Sequence, residues 1–258
     1  MKKEGLIKRK PNTSWQNVAK WYKKAVGDNG LYFHQNLILP KSIELLCLKK
    51  GDSIIDFACG QGILNKYIPK EMYYQGVDIS EDLIRYARNE NKSNFSKFDI
   101  GDITKELKIK KNDFTHAVII LALQNVEDYE KVFQNVFSRL RSNGKFLIVI
   151  NHPYFRIPRQ TSWQIDNAKK SQYRRVDRYL TPLKIPINMN PGSFKTKMTW
   201  SFHYPLQDYV NGLSKNGFMI EKIEEWVSPK TSVGKSSKME NRARSEFPLF
   251  MAILARKL

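Results

Sequence analysis

Two acidic residues and a pair of glycines have the side-chain types and the spacing needed to hold a polar small molecule. Asp56 lies in the apolar run SIIDF, and Gly60 and Gly62 follow it within six residues. Glycine lets the backbone turn sharply and approach a ligand without a Cβ in the way. Asp78 ends a second apolar run, YYQGVD, at about the twenty-residue spacing at which the acid of a βαβ unit hydrogen-bonds ribose hydroxyls. The spacing therefore predicts a strand, a tight ligand-binding loop, a helix start and a second strand.

Two observations bear on the kind of ligand. The dinucleotide fingerprint has a third glycine, and Asn65 stands in its place, which argues against a pyrophosphate cradle at the helix N-terminus. Purely structural roles also stay open, since Asp56 could cap a turn and Asp78 could cap the helix that begins near Ser80.

These residues resemble the first motif of the class I S-adenosylmethionine-dependent methyltransferases, in particular the methyltransferase-11-like group. Asp56, Gly60 and Gly62 match that motif, and the resemblance extends from about Trp15 to Leu258. It implies an α/β fold: a seven-stranded Rossmann-like sheet with helices on both faces and a final antiparallel hairpin. It also implies S-adenosylmethionine as the cofactor.

The resemblance assigns the parts of the cofactor to particular residues. The first acid and the glycine turn would hold the methionine part and Asp78 the ribose, while an acid after the third strand would flank the adenine. Asp102 with Ile103 fits that last role, and Asp99 with Ile100 is the alternative. The predicted cofactor-binding residues are Tyr22, Asp56, Ala58, Gly60, Gly62, Asp78, Ile79, Asp102, Ile103 and Leu121. Tyr22 lies on an apolar helical stripe that also fits simple packing.

The rest of the chain continues the alternation of strands and helices and then interrupts it. The apolar run 114–123 predicts a central parallel strand, a helix over 129–142 ends at Asn143 and Gly144, and 145–151 predicts the next buried strand. Residues 152 to about 204 break the pattern, which predicts an insertion between the fifth strand and the last helix. The segments 218–227 and 247–257 are expected to pair as the closing hairpin, with a mobile surface loop at 228–238.

We therefore expect one methyltransferase domain over residues 1–258. It would comprise N-terminal entrance helices (1–50), the cofactor-binding core (51–151), a lid or acceptor insertion (152–204), and a closing helix and hairpin (205–258).

The positive charge is concentrated outside the predicted cofactor core. The net charge of +19 divides into +6 over residues 1–30, +2 over 31–150 and +11 over 151–258. Such an excess suits an anionic substrate or a nucleic acid, although solvated lysine faces would give the same count. The predicted acceptor and lid residues are Gln124, Asn125, Tyr154, Arg156, Arg159, Trp163, Arg174 and Arg175.

Methyl transfer from a sulfonium depends mainly on alignment and on water exclusion, and it needs a base only when the acceptor must lose a proton. His34, His152 and His203 are the candidate bases, each with a structural role as the alternative, while His116 is expected to be a core residue. Cys47 and Cys59 form neither a zinc ligand set nor a disulfide framework, so no metal site is predicted.

The sequence thus predicts an enzyme that methylates a small, anionic acceptor. The alternatives are a methyltransferase acting on RNA or DNA through the basic N-terminal and insertion surfaces, and a cofactor-binding protein without turnover. We find no apolar run of eighteen residues and no secretory signal at the N-terminus, which predicts a cytoplasmic protein without a membrane span.

Overall fold

The computed structural model describes residues 27, 30–188 and 198–258. The predicted N-terminal helix with Trp15 and Tyr22 lies outside these residues. Within the described ranges, no helix is both long and apolar enough to cross a membrane.

Helices and strands alternate through the first part of the chain, as expected of an α/β domain. A π-helical segment, His34–Ile38, leads into α1 (Leu39–Leu46). The next elements are β1 (Ser53–Phe57), a 3₁₀ turn (Ile63–Tyr67), β2 (Tyr73–Asp78), α2 (Glu81–Glu90), β3 (Ser96–Ile100), β4 (Phe114–Ile120), a second 3₁₀ turn (Leu123–Asn125), α3 (Tyr129–Arg139) and β5 (Leu140–Asn151).

The insertion and the closing elements follow. They are β6 (Thr161–Asp166), β7 (Ser171–Val176), β8 (Leu183–Asn188), β9 (Met198–His203), α4 (Leu206–Lys215), β10 (Phe218–Trp226), α5 (Ser237–Glu246) and β11 (Phe250–Lys257).

Seven strands form the central sheet in the order β10-β11-β5-β4-β1-β2-β3. Strands β1 to β5 run parallel, and β11 is antiparallel to both β5 and β10. This arrangement confirms the predicted fold class, a seven-stranded Rossmann-like sheet that ends in an antiparallel pair. The order reverses between β1 and β4, which is where open α/β sheets bind their ligands.

The sheet is covered on both faces, and its central strands are accordingly apolar on both sides. Ile54 packs into one cluster with α1 and α2, whereas its neighbour Ile55 packs into the other with α3 and α4. Adjacent residues of a strand point to opposite faces, so the run in β1 supplies both layers of the core. Asp56 is the buried acid within this run.

Three details differ from the expectations. Helix α3 ends at Arg139, four residues before Asn143, because the chain makes a bulge opposite β4 in which Asn143 takes a left-handed backbone (φ 61°). Strands β10 and β11 pair as expected but enclose helix α5, so the insertion precedes the next-to-last helix. The insertion itself consists of two hairpins, β6–β7 and β8–β9.

Candidate active site

A cavity of about 460 Å³ lies at the carboxyl ends of β1, β2 and β4. This volume is in the range typical of small-molecule sites, and the location is the one expected for a parallel sheet. Most of the predicted cofactor-binding residues meet there. They are Ala58, Gly60, Asp78, Ile79, Asp102, Ile103 and Leu121, together with Asn125 from the predicted acceptor set.

Asp78 is buried at the end of β2 and organises the glycine loop. The backbone N–H of Gly60 donates to its Oδ2 (2.9 Å), and the N–H of Ser80 donates to its Oδ1 (2.8 Å). Burial raises the pKa of Asp78, and these two donors partly offset that effect. Each carboxylate oxygen keeps a further lone pair, so Asp78 can also accept from two ligand hydroxyls.

The two motif glycines are required for different structural reasons. Gly60 has a left-handed backbone (φ 57°), and a Cβ built there would meet no atom within 4 Å and would enter the cavity. Gly62 is also left-handed (φ 74°), but its Cβ would lie 2.7 Å from the Phe98 ring. Gly60 therefore leaves room for a ligand, whereas Gly62 leaves room for core packing.

Asp102, rather than the alternative Asp99, faces the cavity. Burial raises the pKa of Asp102, but Thr104, which donates through its backbone N–H (3.0 Å) and hydroxyl (2.7 Å), and the nearby Lys105 outweigh burial and lower it. Asp99 instead accepts from Gln75 (3.0 Å) and lies 3.7 Å from Arg88. Of the two adenine assignments, the geometry favours Asp102 with Ile103.

A smaller cavity of about 50 Å³ adjoins the first through Ala58, Gly60 and Ile120, and Asp56 and His34 line it. The Tyr74 hydroxyl donates to Oδ2 of Asp56 (2.5 Å), yet burial and the nearby charge of Asp78 raise the pKa of Asp56 to about 7. His34 Nδ1 and Gln61 Oε1 are buried here without a hydrogen-bond partner among the described residues. Because unpaired buried polar atoms are costly, this cavity fits a polar group such as the charged end of an amino acid.

Part of the wall of the larger cavity is formed by residues that the sequence analysis missed. Trp200 and Phe202 of β9 supply an aromatic wall, and Lys184 of β8 lies over both rings at 5.3 and 5.5 Å. Nζ of Lys184 is also 3.1 Å from Oε2 of Glu127 at the rim. The alternation of apolar and polar residues in Met198–His203 was the available signal, but it does not reveal which face is turned to a ligand.

The predicted bases differ in their surroundings. His152 Nδ1 accepts from the N–H groups of Tyr154 (3.2 Å) and Phe155 (3.3 Å), so its proton is on Nε2, which donates to Glu225 (2.6 Å). His203 donates through Nε2 to the carbonyl of Tyr179 (2.7 Å). Burial lowers the pKa of all three histidines. His152 thus has both ring nitrogens engaged, whereas His34 keeps Nδ1 unengaged at the smaller cavity.

The predicted acceptor arginines do not share one pocket. Arg174 donates to the Phe155 carbonyl (2.9 Å) and the Thr161 hydroxyl (2.8 Å) and lies 5.1 Å from the Trp163 ring. Arg175 lies on the opposite face of β7 and is 3.6 Å from Asp177, as expected for adjacent residues of a strand.

The other predicted acceptor residues are also dispersed. Tyr154 is exposed and packs edge-on against Phe155. Arg159 is in a left-handed turn before β6, and Gln124 and Arg156 line a separate cavity. Among the residues that the structure describes, no group of three or more His, Cys, Asp or Glu could hold a metal ion.

Comparison with known proteins agrees with this geometry. Residues 48–179 match the family model described as "Methyltransferase domain". The chain belongs to this family. The predictions of the methyltransferase family and of S-adenosylmethionine as its cofactor are thereby confirmed.

Curated relatives cover part of the chain. It is 33% identical over 178 residues to juvenile hormone acid O-methyltransferase of Bombyx mori, an alignment that covers 60% of this chain and 62% of that protein. It is 25% identical over 185 residues to 2-phytyl-1,4-naphtoquinone methyltransferase of Nostoc sp., covering 64% of this chain and 80% of that one.

Among solved structures, an S-adenosylmethionine-dependent methyltransferase from Mesorhizobium loti has a similar fold. It aligns with a TM-score of 0.66 and 24% identity over 90% of this chain and all of that one. This likeness supports the fold.

Proposed function

We propose that the protein transfers a methyl group from S-adenosylmethionine to a small, anionic acceptor. The observation that carries the proposal is the meeting of Asp78 and Asp102, from the ends of successive strands, at one cavity whose outer wall is the aromatic pair Trp200 and Phe202. A nucleoside needs hydroxyl acceptors at one end and apolar surfaces around its base, and this cavity offers both.

Roles for the chain's own residues follow from their positions. Asp78 would hold the ribose and Asp102 the adenine edge, with Ile79, Ile103 and Leu121 as the apolar surfaces around the base. Asp56 and Gln61 would accept from the ammonium group of the methionine part. When bound, the cofactor supplies an electrophilic methyl group.

The acceptor class is supported by chemistry and by the relatives. The Bombyx mori protein is named for an acid and the Nostoc protein for a naphthoquinone, and both are small molecules. A carboxylate is already ionised at neutral pH, so its methylation needs alignment and water exclusion but no base. We propose this class for the present chain, with His34 as the residue that could serve as a base for a less acidic acceptor.

The positive net charge alone does not favour a nucleic-acid substrate. Arg174 is held by a carbonyl and a hydroxyl of the insertion, and Arg175 is beside Asp177. We further propose that residues 1–258 act as one domain in which the insertion 152–204 covers the acceptor.

Incubation of the protein with methyl-labelled cofactor and a cell extract tests the reaction. We expect label in the small-molecule fraction and none with the Gly60→Val variant, whose side chain would enter the cavity. Label in the nucleic-acid fraction would replace the proposed acceptor class. No transfer to any fraction, with the cofactor shown to bind, would contradict the enzymatic function.

A further inference from the structure

Arg156 is a charged residue of the insertion without an anionic partner in the described part of the chain. Its guanidinium is half-buried and packs over the Phe250 ring at 5.0 Å. No carboxylate of the described residues lies within ion-pair distance of it, and its side chain makes no hydrogen bond to them. The four other arginines of the insertion differ, since Arg174 and Arg175 have partners, and Arg159 and Arg178 do not line the small cavity that Arg156 lines.

Such an arrangement is costly unless an anion completes it. Removing a charge from water carries a penalty that a partner must offset. The neighbouring Arg174 adds a second positive charge, and burial together with that charge lowers the pKa of Arg156. Two neighbouring cations, with no carboxylate of the described residues within ion-pair distance of Arg156, produce a local positive potential that favours an incoming anion.

A small cavity lies beside Arg156. Arg156 lines a space of about 20 Å³ with Gln124, Ser201 and His203, which is enough for one small polar group. A histidine side chain is either neutral or positive, so His203, which donates its Nε2 proton to the Tyr179 carbonyl, adds no negative charge to this space.

This space adjoins the cofactor cavity. Phe202 lines both, and Gln124 precedes Asn125, which lines the larger one. Nε2 of Gln124 donates to the carbonyl of Leu121 (2.8 Å), a residue of the cofactor cavity. A molecule that passes Phe202 could therefore extend from the reaction centre to the Arg156 guanidinium.

We propose that Arg156, together with the small cavity that it lines, forms an anchoring subsite, separate from the cofactor cavity, for an anionic group of the acceptor other than the group that is methylated. The subsite deepens the proposed function and rests on it. Arg156 binds the anionic group through its planar fork, which matches a carboxylate in a bidentate manner. Gln124 and Ser201 line the same space, and the guanidinium packs on the Phe250 ring.

Calorimetric titration of a model acid tests the subsite. The probe is octanoate, titrated into the full chain saturated with S-adenosylhomocysteine, and neutral octanamide is the matched control ligand. We expect octanoate to bind and octanamide to bind at least about 10-fold more weakly, the scale of a charge-assisted hydrogen bond.

Variants assign the effect to one residue. Arg156→Gln is expected to remove the preference for octanoate, and Arg156→Lys to keep part of it because the charge remains without the fork. Arg175→Gln is the matched control, since Arg175 belongs to the same insertion but lies beside Asp177 outside the cavity. Binding of S-adenosylhomocysteine by each variant verifies that it is folded.

The outcomes separate this inference from the proposed function. Equal binding of octanoate and octanamide, no binding of octanoate, or an unchanged preference in Arg156→Gln would overturn the subsite while leaving cofactor binding intact. Failure of the wild-type protein to bind S-adenosylhomocysteine would instead contradict the proposed function itself.

Discussion

Replacement of Asp78 by asparagine probes the ribose assignment with the smallest change of shape. The carboxylate accepts the N–H groups of Gly60 and Ser80 at 2.9 and 2.8 Å and has one further lone pair on each oxygen for the cofactor. Asparagine keeps one acceptor oxygen and places a donor where the other oxygen was. Loss of a hydrogen bond to a charged group costs about 1.5–3 kcal/mol, so we expect Asp78→Asn to weaken S-adenosylhomocysteine binding about 10- to 150-fold.

The same substitution has a cost in stability, because the N–H of Gly60 or of Ser80 loses its acceptor. We expect a decrease of about 1–3 kcal/mol in the free energy of unfolding, so the titration must be done where the variant is folded by circular dichroism. Asp99→Asn is the matched control, since Asp99 lies in the neighbouring strand beside Arg88 and does not line the cavity. Unchanged affinity in a folded Asp78→Asn protein, or an equal loss in Asp99→Asn, would refute the assignment.

Four further substitutions separate binding from structure. Gly60→Val should abolish cofactor binding in a calorimetric titration yet leave a folded domain. Gly62→Ala should mainly lower the melting temperature, because the new Cβ would contact the Phe98 ring. Normal binding by Gly60→Val would mean that the loop does not approach the cofactor. The pKa of Asp56 is raised to about 7 in the folded protein, so the folded state binds the proton of this carboxyl more tightly than the unfolded state does. The free energy of unfolding of the ligand-free protein should therefore fall as pH rises from about 4 to about 7. Asp56→Asn should remove up to about 4 kcal/mol of that fall in urea unfolding at several pH values, and an unchanged pH dependence would exclude Asp56 as its source. His152→Ala should lower the melting temperature, because Glu225 and the backbone N–H groups of Tyr154 and Phe155 lose their hydrogen-bond partner. The pH profile of methyl transfer should stay unshifted. A shifted profile would indicate that His152 is a base.

The cofactor side could be predicted from the sequence because its determinants are local. Asp56, Gly60 and Asp78 each follow or end an apolar strand, and parallel strands bring their carboxyl ends to one edge. The periodicity of the strands also fixed the order of elements up to β5. Helix α5 was missed because Ser237–Glu246 is almost wholly polar and buries one alanine, so it has little apolar periodicity.

The acceptor side could not be predicted in the same way because tertiary packing positions it. Neighbouring arginines appear as one basic cluster in the sequence, yet the strand geometry of β7 turns Arg174 and Arg175 to opposite faces. Lys184 and Trp200 belong to a hairpin whose first strand contains Pro186, a residue that weakens a strand prediction. Their contact with the cavity depends on how the hairpin lies against the core, which no local pattern encodes.

The attachment of the insertion also has a consequence for the residence time of spent cofactor. His152 is tied to β10 by Glu225 and to the residue before β11 by the bond from its N–H to the Leu249 carbonyl (2.9 Å). At the other end, the Tyr204 hydroxyl donates to the Glu127 carbonyl (2.6 Å). Both ends of the insertion are thus held by hydrogen bonds. The β8–β9 rim, by contrast, carries the exposed ion pair Lys184–Glu127, a contact worth about 0–1 kcal/mol. If product release limits turnover, the opening of this rim would therefore set the turnover rate, and added salt would raise that rate by screening the Lys184–Glu127 pair.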